Sequence, residues 1–166
     1  MDIYNIKNEY IKYIKKYDSN VADNKNESRP YIGIILEIDG IKYYAPFTSP
    51  KQKHKSMHNT KDFRKICGGQ LGAINFNNMI PVPDKAILPI CINQEQNLQY
   101  RRLLQKQYRA IQQDWETIQT TAEKLHTLVF ISDELLTPND RKIKQRCCNL
   151  PLLETVYENW YCNGSH

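Results

Sequence analysis

No run of apolar residues in this 166-residue chain approaches the roughly 20 that a membrane-spanning helix needs. The opening residues, Met1-Asp2-Ile3-Tyr4, lack the basic-then-apolar layout of a signal peptide, so the expectation is a cytoplasmic protein. A Cys-x-x-Cys pair is missing too. The cysteines, Cys67, Cys91, Cys147, Cys148 and Cys162, are odd in number, which argues against a disulfide frame or a zinc site and for reduced thiols. His54 and His58 stand one helical turn apart, but no carboxylate or cysteine lies at a matching spacing, so no metal and no other cofactor is expected. Internal repeats and low-complexity tracts are absent as well. With 40% hydrophobic and 25% charged residues the chain is not a disordered one. One domain over residues 1–162, with a frayed tail at 163–166, is the expectation.

Acid is scarce where it matters. The net charge of +5 is mild, but residues 51–65 hold Lys51, Lys53, Lys55, Lys61, Arg64 and Lys65 against the single acid Asp62. A second basic cluster, Arg141, Lys142, Lys144 and Arg146, lies near the C-terminus. Either cluster alone reads as a solvated surface. Two of them on a small domain point to a polyanion.

The hydrophobic pattern sets the fold class. A short first strand over residues 2–6 precedes a helix capped by Asn8, with Tyr10, Ile11, Tyr13, Ile14 and Tyr17 on one face. Tyr10, Tyr13 and Tyr17 can stack bases, although such a stripe is more often core. Residues 18–29 are polar and read as a flexible loop. Tyr31 to Ile38 is a strand, Asp39-Gly40 a tight turn, and Ile41 to Phe47 the returning strand of a hairpin. A helical turn is expected near residues 61–66, then short strands over 71–76, 79–82 and 86–90. From Leu104 through Tyr108, Ile111, Trp115, Ile118, Ala122 and Leu125 to Val129 the spacing alternates between four and three, which predicts one long helix over residues 97–130. Its stripe covers the sheet, or else pairs with a second copy. Residues 137–140 read as a loop and 150–161 as a last helix. The class is α+β: a compact, strongly twisted antiparallel sheet, forming a small partly open barrel, with a long C-terminal helix and further helices.

The chemistry is concentrated just past the hairpin. Pro46 and Pro50 end the second strand near Phe47, and Thr48 and Ser49 follow, next to Lys51, Lys53, His54 and Lys55. RNA is cut without a metal when its 2′-hydroxyl loses a proton, charge on the phosphate is held, and the leaving oxygen gains a proton. Lys51 can hold that charge, and shuttle a proton if neighbouring cations depress its pKa. Thr48 and Ser49 offer hydroxyl donors. His54 is a second proton carrier to weigh, His58 a weaker one. Asn75, Asn77 and Asn78 can read base edges, or simply form turns. A Ser49/Lys51 hydrolase dyad is disfavoured, since no glycine-rich turn adjoins it and Pro50 lacks the backbone donor. A non-catalytic nucleic-acid module gripping phosphates with the same loop is the stronger rival.

Pro46-Phe47-Thr48-Ser49-Pro50-Lys51, with Tyr31-Ile32-Gly33-Ile34-Ile35-Leu36 before it and Leu71-Gly72-Ala73-Ile74-Asn75 and Met79-Ile80-Pro81-Val82 after it, resembles the ToxN/AbiQ family. These are endoribonuclease toxins of type III toxin–antitoxin systems, and the likeness runs from about Ile3 to the closing helix. The resemblance implies an SH3-like core of the MazF/Kid kind and Thr48, Ser49 and Lys51 as catalytic residues. It implies metal-independent cleavage to 2′,3′-cyclic phosphate and 5′-hydroxyl ends, and a role in phage defence. The implied partners are cellular RNA substrates and a folded repeat antitoxin RNA, of pseudoknot type, that closes with the protein into a ring. The free protein is expected to be a monomer. Lys53, His54, Lys55, Lys61, Arg64, Lys65, Asn75 and Asn77 are assigned to RNA binding beside the active site, and Arg141, Lys142, Lys144 and Arg146 to a second surface far from it.

Overall fold

The computed structural model describes residues 1–161; the expected tail at 163–166 lies outside them. Its strands are β1 (Asp2–Ile6), β2 (Tyr31–Ile38), β3 (Ile41–Thr48), β4 (Phe63–Lys65), β5 (Ala73–Asn75), β6 (Ile80–Pro81) and β7 (Ile87–Pro89). All pair antiparallel, in the order β4-β5-β3-β2-β1-β7, with β6 added to the first half of β3. Thus β3 is the strand that everything else frames. It takes β2 along one side, and β6 and then β5 along the other. Its residues from Tyr43 to Phe47 are all buried, which suits a strand covered on both faces. No pairing joins β4 to β7 among the described residues, so the sheet is open at both ends.

The helices are α1 (Asn8–Lys15), α2 (Gln52–Ser56), α3 (Leu98–Gln113), α4 (Trp115–Phe130), α5 (Pro138–Arg146) and α6 (Leu150–Val156). Tyr10 of α1 is fully buried and its hydroxyl donates to the Pro81 carbonyl, while Tyr13 donates to that of Val156. Tyr10 is thus a core residue and Tyr13 a half-buried one, each with its hydroxyl satisfied, while Tyr17 is exposed. The stripe Leu104, Ile111, Ile118, Ala122, Leu125 and Val129 is buried within the chain itself. A coiled-coil partner is not what covers it.

Several expectations need correction. The long helix is two, broken at Asp114 (φ −101°, ψ 12°). Ile111 and Ile118 both face the core, so the period survives the break and hides it. Asp114 leaves the helical conformation, and its carboxylate receives the Arg64 guanidinium. Residues 63–65 form β4 rather than a helical turn, paired with β5. Residues 137–140 do not reset the chain as a loop: Thr137 caps α5, accepting from the Asp140 amide, with Pro138 in the first turn. Asn8 is not the cap of α1; its own amide donates to Glu27 at 2.9 Å. Glu27 belongs to the segment expected to be flexible, and that segment is pinned. Asn24 is buried there, donating to the Ile6 carbonyl and the Asn8 side chain. Polar composition concealed this, because the anchoring groups are themselves amides and carboxylates.

Candidate active site

The β2–β3 hairpin changes register between Ile32 and Leu36. Below that bulge Tyr31 sits opposite Pro46, so the residues before β2 lie beside those leaving β3. Phe47 confirms this by donating its amide to the Pro30 carbonyl. At the end of β3, Thr48 pairs with Ala73, and two groups fix its carbonyl. Gln107, buried on α3, donates its side-chain amide to the carbonyls of Thr48 (3.2 Å) and Leu71 (2.7 Å). Gly72 (φ +96°) packs directly against the Thr48 carbonyl. Beyond it Ser49 and Pro50 are exposed, and Lys51 leads into α2.

His54 anchors that turn. It is buried, 3% exposed, and its Nδ1 accepts the Lys51 amide proton at 3.1 Å, while its own amide donates to the Lys51 carbonyl at 2.9 Å. Burial, followed by the charges of Lys51 and Lys53, holds the imidazole pKa below its ordinary value of 6.5. An Nδ1 that accepts a hydrogen bond is unprotonated. His54 therefore acts as a backbone brace, and the basic loop read here contains a short helix.

This depressed pKa sets a direction for pH. The unfolded chain takes up a proton near 6.5 and the folded chain only at lower pH, so stability is full above 6.5 and falls as pH drops below it. His126, buried and likewise held low by desolvation, adds to the same acid limb. His54→Gln keeps an acceptor near the Lys51 amide but cannot titrate. Its melting temperature is expected to fall less than the parent's between about pH 6.5 and pH 5; identical slopes would remove His54 from that role.

Two cavities meet at the motif. One, of about 400 Å³, is lined by Thr48, Lys51, Lys53, His54, His58, Phe63, Asn75, Asn77 and Arg146 among others. The other, of about 270 Å³, is lined by Lys25, Ser28, Arg29, Tyr100, Thr48, Ser49 and Lys51 among others. Thr48 and Lys51 belong to both. The Thr48 hydroxyl oxygen is buried with no hydrogen-bond partner among the described residues.

The remaining assigned cations scatter. Lys55 is exposed on α2. Lys61 bonds Asp140 at 2.6 Å, beside a different cavity. Arg64 is paired with Asp114, and Lys65 lines a groove with Cys67 and Gly68. Arg141 donates to the Asp133 carbonyl, Lys144 bonds Asp133 and the Ile131 carbonyl, and Lys142 is exposed. Arg146, however, reaches the first cavity and pairs with Asp62. Of the C-terminal cluster only Arg146 lines this cavity: α5 packs on the turn at residues 76–78 and delivers that one arginine to the site. Asp62, the single acid of the basic segment, is what draws it there.

Sequence reasoning missed Arg29, Lys25, Tyr100, Gln107 and Gly72. Of these only Arg29 had a partial signal, since the residues before β2 lie near those leaving β3, but the register shift that sets its neighbour had none.

The model of the family described as toxin ToxN, type III toxin–antitoxin system, matches residues 2–158. The chain is 31% identical to the endoribonuclease ToxN of Pectobacterium atrosepticum over 173 residues, covering 96% of this chain and 94% of that one. It is 32% identical to the endoribonuclease ToxN of Bacillus thuringiensis subsp. kurstaki over 157 residues, covering 91% and 79%. A solved structure concerned with selective toxin inhibition by a non-coding RNA pseudoknot superposes with a TM-score of 0.85 at 29% identity, covering 96% of this chain and 97% of that one. Another, in which a processed non-coding RNA regulates a bacterial antiviral system, gives 0.78 at 31% identity, covering 96% and 98%. With the family matched over nearly its whole length, this chain belongs to the ToxN toxins of type III toxin–antitoxin systems.

Proposed function

We propose that the chain is an endoribonuclease toxin in which Thr48, Ser49 and Lys51 act on the scissile phosphate. One observation carries this reading: Thr48 and Lys51 line both cavities, so an RNA strand running from one to the other crosses them. The 2′-oxygen attacks the adjacent phosphorus and the bond to the 5′-oxygen breaks. The proton lost at 2′ and the proton gained at 5′ balance, leaving a 2′,3′-cyclic phosphate and a 5′-hydroxyl without water or a metal. The Lys51 ammonium holds the charge that grows on the phosphate oxygens, and the hydroxyls of Ser49 and Thr48 donate to them. Arg29 and Lys25 extend the positive lining on the far side.

The same reading makes the sheet an SH3-like, partly open barrel and the regulator a folded antitoxin RNA. That RNA fills the basic groove and closes with otherwise monomeric protein into a ring. Relatives solved with a pseudoknot or with a processed non-coding RNA support an RNA regulator.

The test is purified protein incubated with RNA and a metal chelator. Cleavage with cyclic-phosphate ends is expected at the rate seen without chelator. RNA retained but uncut, with or without metal, would reduce the chain to a binding module. Cleavage lost on chelation alone would overturn the metal-independent chemistry.

A further inference from the structure

We propose that His54 is a further catalytic residue, a neutral imidazole whose Nε2–H donates to an oxygen of the scissile phosphate. This deepens the reading above and rests on it. The tautomer follows from the geometry of the turn. Nδ1 accepts the Lys51 amide at 3.1 Å, so the one ring proton of the neutral imidazole sits on Nε2. That Nε2–H has no hydrogen-bond partner among the described residues, although the residue is buried. Buried donors are ordinarily paired. An unpaired one on a ring that lines a cavity calls for an acceptor supplied by a ligand.

The same cavity collects two more unsatisfied groups. The Thr48 hydroxyl is buried without a partner, and the Lys51 ammonium has no ion-pair partner among the described residues. Both residues line the cavity together with His54. Two neutral donors and one cation suit a phosphate, whose oxygens accept several hydrogen bonds at once. The imidazole is also held in place. The Phe63 ring lies 5.9 Å from it, centroid to centroid, and Gly69 packs directly against the His54 carbonyl.

The ring stays uncharged. Around it stand Lys51 and Lys53 from its own turn, His58 just beyond, Asp62 ahead of β4 and Arg146 from α5. Asp62 is the one carboxylate in that lining, and Arg146 takes both its oxygens. The surplus around His54 is therefore positive, and burial disfavours a further charge. Protonating Nδ1 would also expel the Lys51 amide, and with it the turn that aims Lys51. A neutral imidazole N–H is a preorganised donor toward developing negative charge, and it keeps its own proton. The proton transfers at the 2′ and 5′ oxygens therefore belong to other groups of the motif.

The first measurement is NMR of the whole chain carrying isotope-labelled histidine, free and with a short oligonucleotide that lacks the attacking 2′-hydroxyls. The His54 signal, assigned by its loss in His54→Gln, is expected with its proton on Nε2 in both states. That N–H should shift as the oligonucleotide saturates. A proton on Nδ1, or an Nε2–H unmoved at saturation, overturns the proposal. The second measurement is the cleavage rate from about pH 7.5 down to about pH 5. The parent's rate should fall as His54 takes up a second proton below about pH 6.5. A rate that rises there would make the imidazolium an acid and overturn the neutral donor. His54→Gln offers an acceptor and a donor and does not titrate. It should cut within about tenfold of the parent near neutrality and lose the acid limb. Histidine methylated on Nε2, installed at position 54, keeps the Nδ1 brace without the donor. It should melt like the parent and cut about a hundredfold slower. A parental rate there leaves His54 a brace alone and overturns the assignment. Because tautomer and shift are read without cleavage, a failure of the nuclease reading would show in the parent protein's RNA digests and leave them standing.

Discussion

Replacing Lys51 or Ser49 by alanine is expected to lower RNA cleavage about a thousandfold while the melting temperature stays within about 2 °C of the parent's. Both side chains are exposed, and Lys51 has no ion-pair partner among the described residues. The contact that fixes the Lys51 turn is made by its main-chain amide with His54, and alanine retains that amide. Truncation thus removes a charge shared by the two cavities, or a hydroxyl that lines the second, without removing packing. Thr48→Ala should have a smaller effect on cleavage. The hydroxyl is buried and unpartnered in the free protein, so its loss leaves no group unsatisfied. Parental rates in Lys51→Ala or Ser49→Ala, with unchanged melting, would remove the motif from the active site.

How much of this was legible in the sequence varies with the range of the interaction. The hairpin was, because Asp39-Gly40 between two apolar runs is a local signal, and both strands form where the pattern placed them. The motif's position at the end of β3 followed from Pro46 and Pro50. What could not be read were pairings between distant polar groups. Asp62 looked like the one blemish in a basic loop; in the fold it is buried and brings in Arg146 from 84 residues away. Gln107 is polar and no member of the helix's apolar stripe, yet it is 1% exposed and holds the Thr48 carbonyl. Buried polar residues carry no periodic signature, since each is internal for the sake of one partner. The hairpin bulge was equally invisible, and it is what brings Arg29 alongside Thr48. Gly33 sits there with the Tyr44 ring where its side chain would be.

The largest effect on stability should come from the glycine beneath the motif. Gly72→Ala is expected to cost about 4 kcal/mol, to lower the melting temperature by about 10 °C and to abolish cleavage. Two terms combine. The backbone at Gly72 has φ +96°, where an L side chain is strained, and a Cβ there would lie 1.8 Å from the Thr48 carbonyl oxygen. That oxygen cannot move aside freely, because Gln107 donates to it and Thr48 is paired with Ala73 next door. The overlap must therefore push Thr48 and Ser49 away from the place where the two cavities meet. Gly40 separates the terms. Its φ is +81°, but nothing lies within 4 Å of the added carbon, so Gly40→Ala bears the backbone strain alone. A loss of about 1–2 kcal/mol with cleavage intact is the expectation there. Denaturant midpoints and cleavage rates for the two variants, measured together, decide the matter. If Gly72→Ala unfolds at the same midpoint as Gly40→Ala and still cuts RNA at the parental rate, the close packing of Gly72 under Thr48 does not hold the active site in place.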